Sequence, residues 1–355
     1  MKSIIETFIE IAKISSPSGS EEEMSKYVQR WLEKNNFKYK VDKLNQIYAF
    51  SSKTPKLLLT AHLDTVQPCQ NIKPIIKKGF ICSDGKTILG ADNKAWIVAM
   101  FFAIEQYKSS YKSNPPVELV FTTKEETGGG AENFDFSFIK SKEGITFDSA
   151  EPIGKIVLAA PYIYNFKAAF IGKAAHASRP NDGVSSLTPA CNFVSKVKQG
   201  KSDNGLTTIN IGLMSSGTGI NTLPENTVVE GEVRSIDIKL FKKHLKEIES
   251  LAVKISKENR IKLKFSKDGY CPGYKYDRKD LFVMKTASNL KKMGYIAEYL
   301  VSTGVSDANS FAGAGIKLIN LSDSVEFPHT TKEKISIKNL ELLQKTMFNF
   351  LKDLV

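Results

Sequence analysis

The chain has 355 residues, 41% of them hydrophobic and 25% charged, which is the ordinary balance of a soluble globular protein. At roughly 150 residues per domain, this length predicts two domains. The formal net charge of +12 would permit a nucleic-acid partner, but the lysines are spread along the chain, so we expect a solvated basic surface and no nucleic acid.

Signals for a membrane or for secretion are not evident. No stretch reaches the roughly 18 apolar residues that a membrane span needs. Residues 1–14 mix charged and apolar residues, which predicts an amphipathic helix and not a signal peptide. The four cysteines are scattered without C-x-x-C spacing, as expected of thiols in a reducing compartment. We therefore expect a cytoplasmic protein with no membrane partner.

The first half of the chain alternates the patterns of helices and strands. Ser20, followed by Glu23, predicts the start of a helix by a capping box. Residues 56–61 and 117–122 are short apolar runs, typical of strands buried on both faces. Residues 95–107, between them, are apolar nearly all round, like a buried helix. This order predicts an α/β domain with a mixed sheet and helices on both faces.

The pattern changes near Pro161. The following elements read strand, helix, strand, strand, helix, strand, the order of a small α+β domain of the ferredoxin-like kind. We therefore predict that residues 162–273 are inserted into a larger domain formed by residues 1–161 and 274–355. The predicted elements of the insertion are residues 164–170, 187–197, 207–213, 227–236, 240–259 and 261–265.

Seven residues in short polar segments could bind metal. Imidazole and carboxylate together are what a borderline divalent ion such as Zn²⁺ takes. The set is large enough for two ions that share a carboxylate, with one carboxylate left over as a base, which is the composition of a metal-dependent hydrolase. The residues are His62, Asp64, Asp92, Glu125, Glu126, Asp148 and His329.

Each segment has a simpler interpretation when it is taken alone. His62 could be a core histidine beside a turn, and Asp92 could be a helix N-cap. Glu125 and Glu126 could lie in a solvated loop, although adjacent carboxylates repel each other unless a cation lies between them. His176, which small residues flank in the inserted domain, could be a surface histidine or one presented to a cleft.

In their joint order these segments resemble the M20 metallopeptidases, and within that family the peptidase T-like tripeptidases. The resemblance covers essentially the whole chain. The segments that carry it are Ser16–Gly19, the His62 and Asp92 motifs, Glu125–Gly128, Gly172–Ser178, Asn221, Arg234 and Gly304–Asn309.

The resemblance implies a centre of two divalent ions, zinc above all, with manganese or cobalt as alternatives. His62 and Asp148 would bind one ion, Glu126 and His329 would bind the other, and Asp92 would bridge them. Relatives that act as amino- or dipeptidases tend to carry Asp at the position of Asp148, whereas acylases and carboxypeptidases tend to carry Glu. Glu151, three residues further on, leaves this alignment open.

The resemblance also implies catalytic roles. Glu125 would be the general base and Asp64 would orient His62. His176 would help to hold the developing oxyanion, in relatives often from the partner subunit, so a homodimer through the inserted lid or dimerisation domain is possible. Contacts to the substrate would come from Asn221, Arg234, Ser306 and Asp307.

The function that we expect is a dizinc aminopeptidase that hydrolyses the N-terminal bond of short peptides, tripeptides in particular. Two alternatives within the same family are an N-acyl amino acid deacylase and a dipeptidase. A third alternative is a non-enzymatic peptide-binding protein, against which the intact set of ligands and base argues.

Overall fold

The chain leaves one folded unit near residue 158 and returns to it near residue 276. The structure, a computed structural model, describes residues 2–355. The first unit combines the chain up to Leu158 with Tyr276–Ser302 and Ser306–Val355, and the second combines Ala159–Lys275 with Thr303–Val305. None of the helices in residues 2–355 is both long and apolar enough to cross a bilayer.

The helices, in chain order, are α1 (Ile4–Ala12), α2 (Glu22–Lys34), α3 (Ala91–Tyr111), α4 (Leu187–Lys196), α5 (Ile238–Glu258), α6 (Leu281–Lys292), α7 (Asp307–Gly313) and α8 (Ile337–Leu354). The strands are β1 (Lys38–Val41), β2 (Ile47–Phe50), β3 (Leu57–His62), β4 (Ile75–Lys77), β5 (Phe80–Cys82), β6 (Val117–Thr122), β7 (Glu143–Phe147), β8 (Lys155–Ala160), β9 (Tyr162–Ile171), β10 (Ala175–His176), β11 (Gly200–Ser202), β12 (Thr207–Ser216), β13 (Thr222–Leu223), β14 (Asn226–Ser235), β15 (Lys262–Cys271), β16 (Tyr274–Lys275), β17 (Glu298–Val301), β18 (Lys317–Leu321) and β19 (Lys334–Ser336).

The first unit is built on a mixed sheet, as predicted. Its main strands run in the order β1, β2, β6, β3, β7, β18, β8, and β17 also pairs with β8. The central pairs β6–β3, β3–β7 and β7–β18 are parallel, whereas β1–β2, β2–β6 and β18–β8 are antiparallel. Every residue of β3 and β6 is buried, so both faces of the centre of the sheet are covered.

The helix α3 lies at the centre of the hydrophobic core of the first unit. It packs against α1 and α8, and most residues between Ala91 and Ile104 are buried. The indole N–H of Trp96 donates to the carbonyl of Thr60 in β3 at 2.7 Å, which satisfies a polar group that burial would otherwise leave unpaired. The apolar part of this helix is therefore largely buried, as its sequence predicts, whereas Gln106 near its end is exposed.

The second unit is an antiparallel sheet in the order β11, β12, β14, β9, β15. The helices α4 and α5 pack on this sheet and enclose a separate hydrophobic core, which includes Phe166, Phe193 and Phe241. The main elements follow the predicted order of strand, helix, strand, strand, helix, strand, and most of their ends lie within three residues of the predicted ones. The exception is β15, which continues to Cys271, beyond the predicted end at residue 265. The inserted α+β fold is therefore confirmed.

Candidate active site

Three of the predicted ligand segments lie at one edge of the central sheet. His62 is the last residue of β3, Asp148 directly follows β7, and Glu125 and Glu126 follow β6 within a few residues. These three strands are parallel neighbours, so their carboxyl ends open on the same side. Asp92, near the start of α3, completes this group from the sequence between β3 and β6.

The carboxylate of Asp92 lies between two groups of candidate ligands. Its Oδ1 is 3.2 Å from Nε2 of His62, which is also 3.7 Å from Oδ1 of Asp148. Its Oδ2 is 3.4 Å from Nε2 of His329, which is also 2.9 Å from Oε2 of Glu126. One carboxylate with an oxygen facing each group is the arrangement of a bridging ligand between two metal ions.

Two further observations indicate that these side chains could bind a divalent cation. Ligand atoms of His62, Asp92 and Glu126 all lie within 4.8 Å of one another. Within residues 2–355, the buried Oε1 of Glu126 has no hydrogen-bond partner, which costs free energy unless a cation or another donor meets it. Carboxylates and imidazoles in this number suit zinc or a similar ion.

Electrostatics support the same conclusion. Burial raises the pKa of Asp148 to about 6, and burial together with the charge of Asp148 raises the pKa of Glu125 well above its usual range. Hydrogen bonds to Asp92 and Glu126 raise the pKa of His329 to about 10. In the metal-free protein, protons therefore take over part of the charge neutralisation that bound cations would provide.

Asp64 connects His62 to the glutamate pair. The backbone carbonyl of Asp64 is 3.0 Å from Nδ1 of His62, so Nδ1 donates there. Nε2 faces the carboxylate of Asp92 and, without a bound cation, donates a hydrogen bond to it. The buried carboxylate of Asp64 accepts from the backbone N–H of Glu125 at 3.0 Å and of Glu126 at 3.1 Å. It also accepts from the hydroxyl of Ser18 at 2.6 Å. Asp64 thus makes hydrogen bonds both to His62 and to the loop that carries the two glutamates.

The loop after the glutamates is held close to β6. A Cβ added to Gly130 would lie 1.5 Å from the carbonyl oxygen of Thr123, so only glycine fits there. Gly129, at a φ of +92°, has open space around it and needs glycine for its backbone conformation. The two glycines therefore shape the loop of Glu125 and Glu126 for different reasons.

Ser306 and Asp307 are placed at the start of α7. Ser306 caps this helix, and its hydroxyl accepts from the side-chain amide of Asn320 at 3.2 Å. Asp307 is buried and accepts a hydrogen bond from the hydroxyl of Thr122 at the end of β6. Burial raises the pKa of Asp307 to about 7, and the charge of Asp148 contributes to this shift.

The second unit carries His176, Asn221 and Arg234. The exposed His176 lies on β10, which pairs with β13 directly after Asn221. The N–H of Ser178 donates to Nδ1 of His176 at 3.2 Å, so a neutral imidazole carries its proton on Nε2. Arg234 on β14 is half-buried and donates from Nε and Nη2 to the carboxylate of Glu232 at 2.7 and 2.9 Å.

Sequence reasoning missed two residues whose side chains bind the backbone of candidate ligands. Asn320 accepts from the N–H of Asp148 at 3.0 Å and donates to its carbonyl at 2.9 Å. An asparagine inside the apolar strand β18 is a signal that could have indicated this role. Glu333 lies four residues after His329 in the sequence and is buried. Its carboxylate accepts from the N–H of Asp92 at 3.1 Å. Its polar surroundings in the sequence give no such signal.

Comparisons with known proteins agree with this geometry. Residues 162–260 match the model of the M20 peptidase dimerisation domain. The uncharacterized protein YqjE of Bacillus subtilis is 32% identical over 96% of this chain and 95% of its own length. The crystal structure of aminopeptidase PepT from Bacillus cereus has a TM-score of 0.90 at 30% identity and covers 99% of this chain and 98% of its own.

A tripeptidase from Staphylococcus aureus has a TM-score of 0.89 at 31% identity, with coverage of 98% of this chain and 97% of its own. Both structural relatives therefore match the full length of the chain, including the mixed sheet and the inserted unit. With the likeness to YqjE over nearly all of both chains, they show that this chain belongs to the M20 metallopeptidases and is a peptidase T-like hydrolase.

Proposed function

We propose that this protein is a dizinc aminopeptidase that removes the N-terminal residue of short peptides, with tripeptides as its main substrates. The observation that carries this proposal is the position of Asp92, with one oxygen toward His62 and Asp148 and the other toward Glu126 and His329. The names of the two full-length structural relatives, an aminopeptidase and a tripeptidase, support the substrate class.

One ion would be bound by His62 and Asp148, and the other would be bound by Glu126 and His329. Asp92 would bind both ions. When bound, two divalent ions, zinc or alternatively manganese or cobalt, polarise the scissile carbonyl and make water a better nucleophile. Glu151, the other candidate for the third ligand, pairs with Lys155 at 2.7 Å. Asp148 lies against His62 instead, which supports the aspartate-type site that the resemblance associates with amino- and dipeptidases.

Glu125 acts in this proposal as the general base. It accepts a proton from the attacking water and returns it to the leaving amine, so that one side chain serves both halves of the reaction. The raised pKa of Glu125, caused by burial and by Asp148, suits a group that must hold the proton between these steps. The hydrogen bond from its backbone N–H to Asp64 fixes its loop.

His176 stabilises the developing oxyanion in this proposal. The N–H of Ser178 occupies Nδ1, which leaves Nε2–H as the donor that an oxyanion requires. His176 belongs to the second unit and all five proposed metal ligands to the first, so it would act after closure of its unit or from a partner subunit. The match to a dimerisation domain supports the partner subunit and hence a homodimer.

The substrate itself would contact Asn221, Arg234, Ser306 and Asp307. Glu232 takes only two of the five N–H groups of Arg234, so the other N–H groups can bind the carboxylate end of a peptide. Asp307 has a carboxylate close enough to His62 and Asp148 for their charges to shift its pKa. A carboxylate beside the metal centre could bind the free amine of a peptide. The proposed location of the enzyme is the cytoplasm.

The test is a comparison of blocked and unblocked substrates. Protein stripped of metal and reloaded with zinc or manganese is offered a tripeptide, its N-acetyl form, the matching dipeptides and N-acetyl amino acids. We expect the free tripeptide to have the highest kcat/KM and the acetylated tripeptide to be cleaved far more slowly. Preference for N-acetyl amino acids would instead identify a deacylase, and preference for dipeptides a dipeptidase.

A further inference from the structure

Glu333 is a buried carboxylate that lies outside the set of proposed metal ligands. Its side chain is in the first unit and only 1% of the residue is exposed. Oε2 accepts from the backbone N–H of Leu89 at 2.7 Å and of Gly90 at 2.8 Å, and Oε1 accepts from the N–H of Asp92 at 3.1 Å. Three backbone donors therefore converge on one charge.

These three donors belong to the segment that leads into the regular part of α3. Leu89 and Gly90 precede the helix, and Asp92 has non-helical backbone angles, so their N–H groups have no intrahelical partners. Gly90, the N-cap residue, has no side chain that could accept from them. Glu333 supplies the missing acceptor from a position 241 residues further along the chain than Asp92. A carboxylate at this end of a helix is also favoured by the helix dipole.

The same residue is tied to the segment of His329. The N–H of Glu333 donates to the carbonyl of Thr330 at 3.1 Å, and its carbonyl accepts from the N–H of Ser83 at 3.0 Å. The side chain of Glu333 thus holds the backbone of Asp92, while its main chain closes the turn that follows His329. The imidazole of His329 and the carboxylate of Asp92 lie 3.4 Å apart.

We infer that Glu333 is a positioning residue for the metal centre, one that fixes Asp92 and His329 relative to each other before an ion binds. The inference rests on the proposed function, because it assumes that these two side chains are ligands. Without the hydrogen bonds of Glu333, the start of α3 and the turn after His329 could separate. The ions would then have to pull Asp92 and His329 into place, at the expense of affinity.

Glu333→Gln tests the inference with little change of shape. Glutamine has one carbonyl oxygen for three donors, and its amide group adds N–H donors to a site that already has them. We expect the dissociation constant for Zn²⁺, measured on metal-free protein by competition with a chromogenic chelator, to rise about 10- to 100-fold, as is typical when a residue behind a ligand is lost. The absorption spectrum of the Co²⁺-loaded protein should change as well.

Glu118→Gln is the matched control. Glu118 is also fully buried in the first unit and accepts from two backbone N–H groups, those of Lys140 at 2.9 Å and Ser141 at 2.8 Å, and from the hydroxyl of Tyr48 at 2.8 Å. It contacts none of the proposed ligands in the described hydrogen bonds. We expect Glu118→Gln to lower the Tm but to leave the Zn²⁺ dissociation constant and the Co²⁺ spectrum as in the wild type.

The possible outcomes are distinct. If Glu333→Gln lowers only the Tm, as Glu118→Gln does, Glu333 is a helix cap and the inference is overturned. If the wild-type protein takes up neither ion, the proposed metal centre fails and the inference fails with it. If Glu333→Gln does not fold, Glu333→Asp carries the test. This variant keeps the charge but withdraws it by one methylene, so wild-type Zn²⁺ affinity in it would also overturn the inference.

Discussion

The two adjacent glutamates, Glu125 and Glu126, have different surroundings, which fit the different roles that we propose for them. Oε2 of Glu126 lies 2.9 Å from His329, and its side chain is only 5% exposed. Glu125 makes no comparable contact with a histidine in the described ion pairs, and burial and nearby carboxylates raise its pKa. Both backbones are held by Asp64, so the difference lies in the direction of each side chain and in the groups that surround it.

The first prediction separates base from ligand. Glu125→Gln should keep about two metal ions per chain and lose activity by roughly 10²–10⁴-fold, the contribution of acid–base catalysis. Glu126→Gln should lose metal as well as activity. Metal content by elemental analysis and kcat at saturating substrate decide between them, and loss of metal in Glu125→Gln would transfer the ligand role to Glu125.

The second prediction concerns His176. His176→Ala should lower kcat strongly and change KM less, because the interaction forms mainly with the oxyanion of the transition state. Metal content and Tm should stay at the wild-type values. His244→Ala is the control, since His244 lies in the same unit and pairs with Asp203 at 2.7 Å, and it should retain activity. Normal turnover in His176→Ala would make it a surface histidine.

At the scale of elements, the active site depends on loops that follow buried strands. The strands β3, β6 and β7 are fixed because they are buried in the hydrophobic core. The loop that carries Glu125 and Glu126 is fixed by individual hydrogen bonds. Glu21 shows one such contact, because its carboxylate accepts from the N–H of Lys124 at 3.0 Å. The N-terminal segment thereby supports the loop from a distant part of the sequence.

The third prediction tests this loop with a glycine pair. Gly130→Ala should move the loop away from Thr123, since backbone blocks the new Cβ, and should lower both metal content and activity. Gly129→Ala has open space and should cost only the strain of its positive φ, about 1–2 kcal/mol. Thermal unfolding and metal analysis of both variants provide the measurement. Full metal content in Gly130→Ala would show that the loop tolerates the shift.

At the scale of the whole molecule, buried titratable groups in and near the proposed metal centre couple the stability of the fold to pH. In the metal-free protein, burial raises the pKa of Asp148 to about 6 and that of Asp307 to about 7. Hydrogen bonds to Asp92 and Glu126 raise the pKa of His329 to about 10. Groups with raised folded-state pKa values contribute stability at low pH that is lost as pH rises through those values.

The fourth prediction follows from these signs. The Tm of chelator-treated protein should fall between about pH 5 and pH 8, because these groups make the folded state bind more protons than the unfolded chain in that range. Added zinc should raise the Tm by an amount that grows with pH, since ligands bind metal in their deprotonated forms. Thermal scans with and without zinc test both trends. A metal-free Tm that rises over this range would contradict the assignment.

The elements and fold class follow from local patterns in the sequence. Apolar runs predict β3 and β6, continuous apolarity predicts α3, and the alternation after Pro161 predicts the second unit. These patterns work because burial on one or both faces of an element leaves a periodic trace in nearby residues. The position of His62 and of the glutamate pair after buried strands likewise indicates a site at the edge of the sheet.

The features that only the tertiary structure decides are contacts between residues that are distant in sequence. The sequence predicts Ser20 as a helix cap, which is wrong: α2 begins at Glu22 after Glu21. Spacing leaves Asp148 and Glu151 open, whereas the structure places Asp148 against His62. Asn320, which binds the backbone of Asp148, and Glu333, which binds that of Asp92, leave no periodic pattern in the sequence. A hydrogen bond across the fold constrains one residue and does not constrain the types of its sequence neighbours.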